Sequence, residues 1–364
     1  MYVVTNRKLD ARRKGLEIFG QAPSERGPNE LRMVRVERRG SGYETELLDD
    51  RLLLKEVRAF KSELDLDIDE HEVRGASLGV ACALMRQARD EGRHVLIYVH
   101  GYNNDMADVL ATAEAIEALY GVLVVPFSWP ANGGGTVSGT LAYLDDKQDA
   151  RISLDALNRF LGKLGFYYRK LTEPQRTKLM ERARREHPDN PARAQAQFGR
   201  LLNQACPVRL SLLCHSMGNY LLKYALGPST AAARELIFDN VALVAADANN
   251  EDHARWVDRI QVRNRLYIVI NENDGALEWS RRKPGAEQLA RLGHYLRRLD
   301  ARDAYYIDVT HAAGVDTAHN YFTEVVDHND RLRAFFQKAF SGGRADATLP
   351  YAADLNVYRL GEPS

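Results

Sequence analysis

The chain has little cysteine, no net charge, no long apolar run and no glycine-rich phosphate loop. Cys82, Cys206 and Cys214 are its three cysteines in 364 residues. No two stand at metal-ligand spacing, so neither a disulfide framework nor a cysteine-bound metal is expected, and a reducing compartment is. Lys and Arg number 50 against 50 Asp and Glu, a balance that leaves no global field to attract nucleic acid, and no such partner is expected. No apolar stretch approaches the roughly 20 residues that span a bilayer, and Met1 to Lys8 lacks the apolar core of a secretory signal. No integral membrane segment is therefore expected, and the chain reads as cytoplasmic. Without a dinucleotide fingerprint, cofactors are expected to be none.

Strand-like runs alternate with helix-like ones. Candidate strands are Tyr2 to Thr5, Leu31 to Arg38, Val95 to His100, Val122 to Phe127, Val208 to Leu213, Val241 to Ala246, Leu266 to Ile270 and Tyr305 to Val309. From Val95 onward they are apolar on successive residues, as in a parallel sheet buried on both faces. Helical patterns fall at Val73 to Asp90, Met106 to Tyr120, Ile152 to Tyr168, Tyr220 to Leu226, Arg281 to Leu299 and Asn320 to Ala339. The alternation specifies an α/β fold with a mostly parallel central sheet and helices on both faces. With no Pro/Ser/Gly-rich linker in mid-chain, residues 1–340 read as one domain. Residues 172–202, highly charged and interrupted by Pro174, Pro188 and Pro191, read as a helical insertion placed where it could cover a pocket as a lid. Ser341 to Arg344 break the last helix, and residues 341–364 are expected to be an irregular surface tail.

In an open parallel sheet, ligands gather beyond the carboxyl ends of the strands. The run Leu210 to Leu213 passes through Cys214-His215-Ser216-Met217-Gly218 into a helix-like stretch, which makes a strand, a tight turn and a helix with a serine at the apex. Where strand and helix nearly touch, the flanking residues must be small. Gly218 meets that need, and Cys214 stands where the first glycine of a Gly-x-Ser-x-Gly elbow would be. Cys214 is expected to point into the sheet. After the strand at Val95 comes His100-Gly101-Tyr102-Asn103-Asn104. Here Gly101 lets the backbone turn close to a ligand, and the Tyr102 amide joins that of Met217 as the pair of N–H donors a developing oxyanion requires. A serine nucleophile also needs a base within reach and an acid behind it. The remaining strand ends offer Asp274 or Asp247 as the acid and His319 or His311 as the base. His100 and His215 sit beside this site as residues that pack and orient loops, and Trp129 reads as a pocket wall.

Several separated motifs then point the same way: VLIYVHGYNN (Val95 to Asn104), FSWP (Phe127 to Pro130) with Tyr143 and Asp146 downstream, CHSMGNY (Cys214 to Tyr220), Asn273-Asp274-x-Ala276-Leu277, AHNYF (Ala318 to Phe322) and the opening TNRK (Thr5 to Lys8). Together they resemble a bacterial α/β-hydrolase family of unknown function within the esterase/lipase superfamily. The order Ser216, Asp274, His319 is the order of triad members in α/β-hydrolases. The resemblance implies Ser216 as nucleophile, Asp274 as acid and His319 as base.

The expectation is a serine hydrolase that cleaves carboxylic esters of a small-molecule ester or acyl substrate through an acyl-enzyme. Activity should rise through an apparent pKa near the histidine reference of about 6.5. The same residues could serve a thioester, a lipid acyl chain or an acyl transfer, and the Arg281-Arg282-Lys283 cluster with the basic insertion motivates an anionic substrate. A binding protein that keeps the fold without turnover is the reading from a different class. Fold pattern and motifs leave the oligomeric state and the substrate's identity unassigned.

Overall fold

The computed structural model describes all residues except 28–29, 65, 67, 72–73, 132–146, 206–207, 227–235, 283–288 and 362–364, and the side chains of 173–174 and 202–205. The strands are β1 (Tyr2–Thr5), β2 (Arg7–Leu9), β3 (Phe19–Pro23), β4 (Arg32–Arg39), β5 (Gly42–Leu47), β6 (Val95–Val99), β7 (Leu123–Ser128), β8 (Leu210–His215), β9 (Phe238–Val244), β10 (Val262–Ile270), β11 (Ala304–Asp308), β12 (Tyr351–Ala352) and β13 (Val357–Arg359). The helices discussed are α1 (Leu54–Leu64), α2 (Ala76–Asp90), α3 (Met106–Tyr120), α4 (Leu154–Glu186), α5 (Pro191–Ala205), α6 (Met217–Ala225), α7 (Ala254–Val257), α8 (Gly275–Arg281) and α9 (Asp330–Phe340).

Eleven strands form one sheet in the order β12-β13-β11-β10-β9-β8-β6-β7-β1-β4-β5. Neighbours from β1 through β13 run parallel, and the antiparallel pairs are confined to the two edges. Along β6, Val95, Ile97 and Val99 enter one apolar core while Leu96 and Tyr98 enter the other. This two-sided burial is why the sequence shows an unbroken apolar run rather than alternation. One core is closed by α2, α4 and α6 through Cys82, Leu157 and Leu221, the other by α3 and α9 through Leu110, Ile116 and Phe336. From β6 the chain crosses through α3 to β7 on one side, then returns through α4 and α5 to β8 on the other. That reversal opens a crevice between the carboxyl ends of β6 and β8. Among the described residues no helix is long and apolar enough to cross a membrane.

Several local expectations are corrected. The helix beginning near Ile152 does not stop at Tyr168 but continues as α4 past position 174 to Glu186. Its apolar stripe persists, ending in Ala183, which packs with Phe198 and Leu201 of α5 in a small core of its own. Thr172 therefore lies in the middle of a helix. The helix expected over Arg281 to Leu299 is absent from its described part, where Leu292–His294 forms a single 3-10 turn. A Cβ on Gly293 would lie 2.1 Å from the Ala246 backbone nitrogen, so the chain is drawn flat against the sheet end there. The helix expected from Asn320 starts at Asp330, because the Asn329 side chain caps it by accepting from the Leu332 amide. β2, β3, β5 and α1 carry too weak a period to stand out.

The segment after Ser341 is not irregular throughout. β13 extends the sheet beside β11, and β12 pairs with it; Val357 and Leu360 are buried. Tyr267 of β10 anchors this segment: its hydroxyl accepts from the Ala345 amide at 2.7 Å and donates to Asp346 Oδ1 at 2.8 Å. Arg265 holds the same carboxylate at 2.9 Å. Removing the hydroxyl strands a buried N–H and weakens the carboxylate's support. Tyr267→Phe is expected to lower unfolding stability by about 1–3 kcal/mol in urea denaturation; a change within error would detach this anchor from the fold's stability.

Candidate active site

Ser216 sits between β8 and α6 at φ 51°, ψ −122°, a left-handed conformation that costs a non-glycine residue about 1–3 kcal/mol. Close approach on both sides enforces it. A Cβ on Gly218 would lie 2.5 Å from the Val99 carbonyl oxygen and 2.8 Å from that of His100, and one on Gly101 would lie 2.7 Å from Ser216 Cβ. The first turn of α6 therefore rests directly on the end of β6. The Asn219 amide donates to the carbonyls of Cys214, Ser216 and Val244 at 3.0, 3.0 and 3.2 Å. The Ser216 amide bonds the Val244 carbonyl, and the Asp247 amide bonds that of Ser216. Cys214 faces the core, fully buried, and burial pushes its thiol well above the usual range.

The loop after β6 is braced from beneath. His100 is fully buried and stacks on Trp129 at 5.3 Å. Its Nδ1 donates to the Gly101 carbonyl at 2.9 Å, and its Nε2 accepts from the Trp129 amide at 3.3 Å. The Trp129 indole donates to the His100 carbonyl at 3.0 Å. Trp129 is buried beneath the loop rather than forming an open pocket wall. Arg7, also buried, spans the gap: it donates to Ser128 Oγ and to the Asn104 carbonyl, both at 2.9 Å. Thr5 bonds the Ser128 carbonyl and Asn6 bonds Ser153 Oγ, which gives the TNRK stretch a bracing task that the sequence left unread. Asn103 holds φ 55° and is exposed. Tyr102 follows Gly101 directly, and the Met217 amide is the first of the orphan donors at the head of α6.

On the opposite rim, Asp274 is fully buried at the start of α8. Its Oδ1 accepts from the Ala276 and Leu277 amides, each at 3.0 Å, and its Oδ2 lies 2.7 Å from His319 Nδ1. With both oxygens accepting, Nδ1 carries the proton and Nε2 of the neutral ring presents a lone pair. Asn271 fixes the loop ahead of His319 through the carbonyls of Asp316 and Ala318. His319 is 21% exposed, and its ring lies 4.6 Å from that of His215, the residue before Ser216. The His215 Nε2 donates to the His319 carbonyl at 3.3 Å. No hydrogen bond joins Ser216 to His319 among the described residues, and catalytic contacts commonly close only around substrate.

Of the alternative acids, Asp247 is engaged elsewhere: Arg291 Nε lies 2.9 Å from its Oδ1, and Ser280 donates to the same oxygen at 2.7 Å. His311 is exposed, whereas His319 holds the carboxylate. In the Arg281-Arg282-Lys283 cluster, Arg282 pairs with Glu278; Lys283, Tyr143 and Asp146 lie outside the described residues. Asn219 and Asn271 went unassigned in the sequence, although an asparagine within an apolar run is a signal that backbone carbonyls need a donor.

Compared with known proteins, residues 83–172 match the model of a family described as "Alpha/beta hydrolase of unknown function (DUF900)". The match takes in β6, the loop at His100 to Asn104 and Trp129, and ends before Ser216. No curated protein matches the chain.

Gly218→Ala is expected to destabilise the fold by about 1–3 kcal/mol or more, read as a lower thermal midpoint, because backbone carbonyls cannot swing aside as a side chain would. A second expectation concerns acid. Burial first, and the Arg7 charge second, depress His100 to about 3; burial likewise lowers His215 well below its ordinary value. The neutral rings stabilise the fold fully above the unfolded histidine value of ~6.5 and lose that contribution as pH falls toward the folded value, by up to about 1.4 kcal/mol per pH unit for each. Urea unfolding between pH 6 and 4 should show this slope, and His100→Asn should flatten it by about one proton. An unchanged slope would remove His100 from the acid response.

Proposed function

We propose that this protein, whose fold and family match are those of an α/β-hydrolase, is a serine hydrolase that cleaves carboxylic esters. The observation that carries the reading is the 2.7 Å contact of His319 with a buried, doubly capped Asp274, on the rim that also holds a serine at φ 51°. Such a carboxylate fixes the imidazole tautomer and stabilises its cation.

Ser216 Oγ attacks the acyl carbonyl while His319 Nε2 takes its proton. The carbonyl electrons move onto oxygen, where the Met217 and Tyr102 amides receive the charge; losing one such donor commonly costs about 10²- to 10³-fold in rate. Collapse breaks the ester C–O bond, and His319 returns the proton to the departing alcohol. Water, deprotonated by the same nitrogen, then releases the acid and frees Ser216. His100, whose two ring nitrogens are spent on backbone, and His215, whose Nε2 holds the His319 carbonyl, position the two loops. The two described cysteines are free and buried, in keeping with a cytoplasmic site of action.

Fluorophosphonate treatment followed by peptide mapping should place the label on Ser216, and p-nitrophenyl acetate should be hydrolysed. Ser216→Ala should lose at least about 10³-fold in kcat, and Asp274→Asn, which releases the tautomer, about 10⁴-fold. A label mapped to any other peptide, or full turnover by Ser216→Ala, would defeat the assignment.

A further inference from the structure

A cavity of about 490 Å³ opens over the first residues of β10 and β11, beside the β12–β13 hairpin. Ser216 follows the carboxyl end of β8, and β8 to β11 are parallel neighbours, so this cavity lies at the other end of the sheet from the candidate active site. Its volume falls within the range of about 300–1,000 Å³ typical of small-molecule sites.

A row of side chains along this edge follows the strand order. Tyr351 of β12, Tyr358 of β13, Tyr305 of β11 and Arg265 of β10 succeed one another on neighbouring strands. Tyr305 stacks on Tyr358 at 5.9 Å, with the Arg265 guanidinium 4.3 Å from its ring centre, and Tyr358 meets Tyr351 at 4.9 Å. Tyr305 and Tyr358 thus have neighbours on both sides. Tyr351 ends the row on the edge strand of the sheet and is 52% exposed. Its ring is tied down: the hydroxyl donates to Asn356 Oδ1 at 2.8 Å, and the Asn356 amide donates to the Leu299 carbonyl at 2.7 Å. A large exposed ring already fixed in place offers an apolar face to a ligand at little further loss of conformational entropy.

The groups that share the cavity with this ring are polar and of mixed sign. Arg302 pairs with Asp258 through its backbone amide at 2.9 Å and its Nε at 3.3 Å. Gln261 and Asp303 are exposed beside them, and neither side chain has a partner among the described residues. Two carboxylates against one guanidinium leave no positive excess to hold a phosphate or a carboxylate. Apart from the tyrosine rings, the apolar lining is confined to Ile260, Val262 and Ala304, too little for an alkyl chain. A ligand that matches such a wall both donates and accepts around its rim and lays an apolar face on Tyr351. Sugars have this character, since each hydroxyl is donor and acceptor at once and the C–H groups of one ring face lie flat against an aromatic ring.

We propose that this cavity binds a neutral saccharide, with one sugar ring stacked on Tyr351 and its hydroxyls bonded to Asp303, Gln261 and Arg302. The site is independent of whether Ser216 is catalytic, and a glycan held there leaves the Ser216 end of the sheet uncovered.

The test is ligand-observed NMR titration of the full chain with cellotriose, maltotriose and chitotriose, with choline as the probe for a cation site and inorganic phosphate for an anion site. At least one trisaccharide is expected to bind, and neither choline nor phosphate to displace it. Tyr351→Ala should weaken that binding about tenfold or more, and Tyr351→Phe, which keeps the ring, should recover most of the loss. Asp303→Ala should weaken it by about tenfold as well. No binding of any trisaccharide, binding untouched by Tyr351→Ala, or displacement by choline or phosphate would each overturn the proposal. Where Tyr351→Ala disturbs the edge hairpin, Asp303→Ala decides, because the exposed Asp303 side chain supports nothing among the described residues; saccharide binding that this variant leaves unchanged overturns the proposal too.

Discussion

One contact between main chains organises the end of the sheet that carries the candidate site: the first turn of α6 lies against the last carbonyls of β6, with no room at position 218 for even a single carbon. Because strand and helix meet this closely, the residue joining them cannot relax into an ordinary turn, and Ser216 is held at a positive φ. The strain is distributed over neighbours. Asn219 gathers three carbonyls, and β9 contributes one hydrogen bond through Val244, with a second from Asp247 just beyond it. Every other candidate group is placed relative to that fixed hydroxyl, since the loops carrying them leave adjacent strands of the same sheet.

Three imidazoles crowd this rim, yet their surroundings separate them. His100 and His215 are buried without a carboxylate and are driven neutral, with both ring nitrogens of His100 and the Nε2 of His215 bonded to backbone. His319 alone of the three meets a carboxylate through a ring nitrogen and keeps partial access to solvent. Burial turns two of them into struts, and a partner turns the third into the group suited to proton transfer. Asp274 and Asp247 divide in the same way, one capping a helix beside an imidazole, the other tied to a buried guanidinium.

The parallel core was legible because two-sided burial writes itself as unbroken apolar runs, and β6, β7, β8 and β10 fall within a few residues of where those runs place them. The candidate site was legible for a related reason: at strand ends, where backbone direction is known, a Ser, an Asp or a His has few places to go. Less visible was whatever depends on a distant partner. Nothing in the local pattern around Arg7 says that its guanidinium reaches Asn104, nor that Gly293 flattens the chain against Ala246 and cancels a helix. The length of α4 was hidden by Pro174, and the β12–β13 hairpin by its brevity, two and three residues closing the edge of a sheet built elsewhere.

The strand that comes first in this sequence lies inside the sheet and not at its edge. β1 lies between β7 and β4, and the residues just after it brace the floor of the crevice that holds the candidate site. Its parallel neighbour, β7, begins more than a hundred residues later in synthesis. β1 pairs with β4, which β5 flanks in turn, while its other edge is met by a strand from far along the chain. The crevice therefore depends on a contact between segments far apart in sequence, and Arg7 is the residue through which that contact holds the loop after His100.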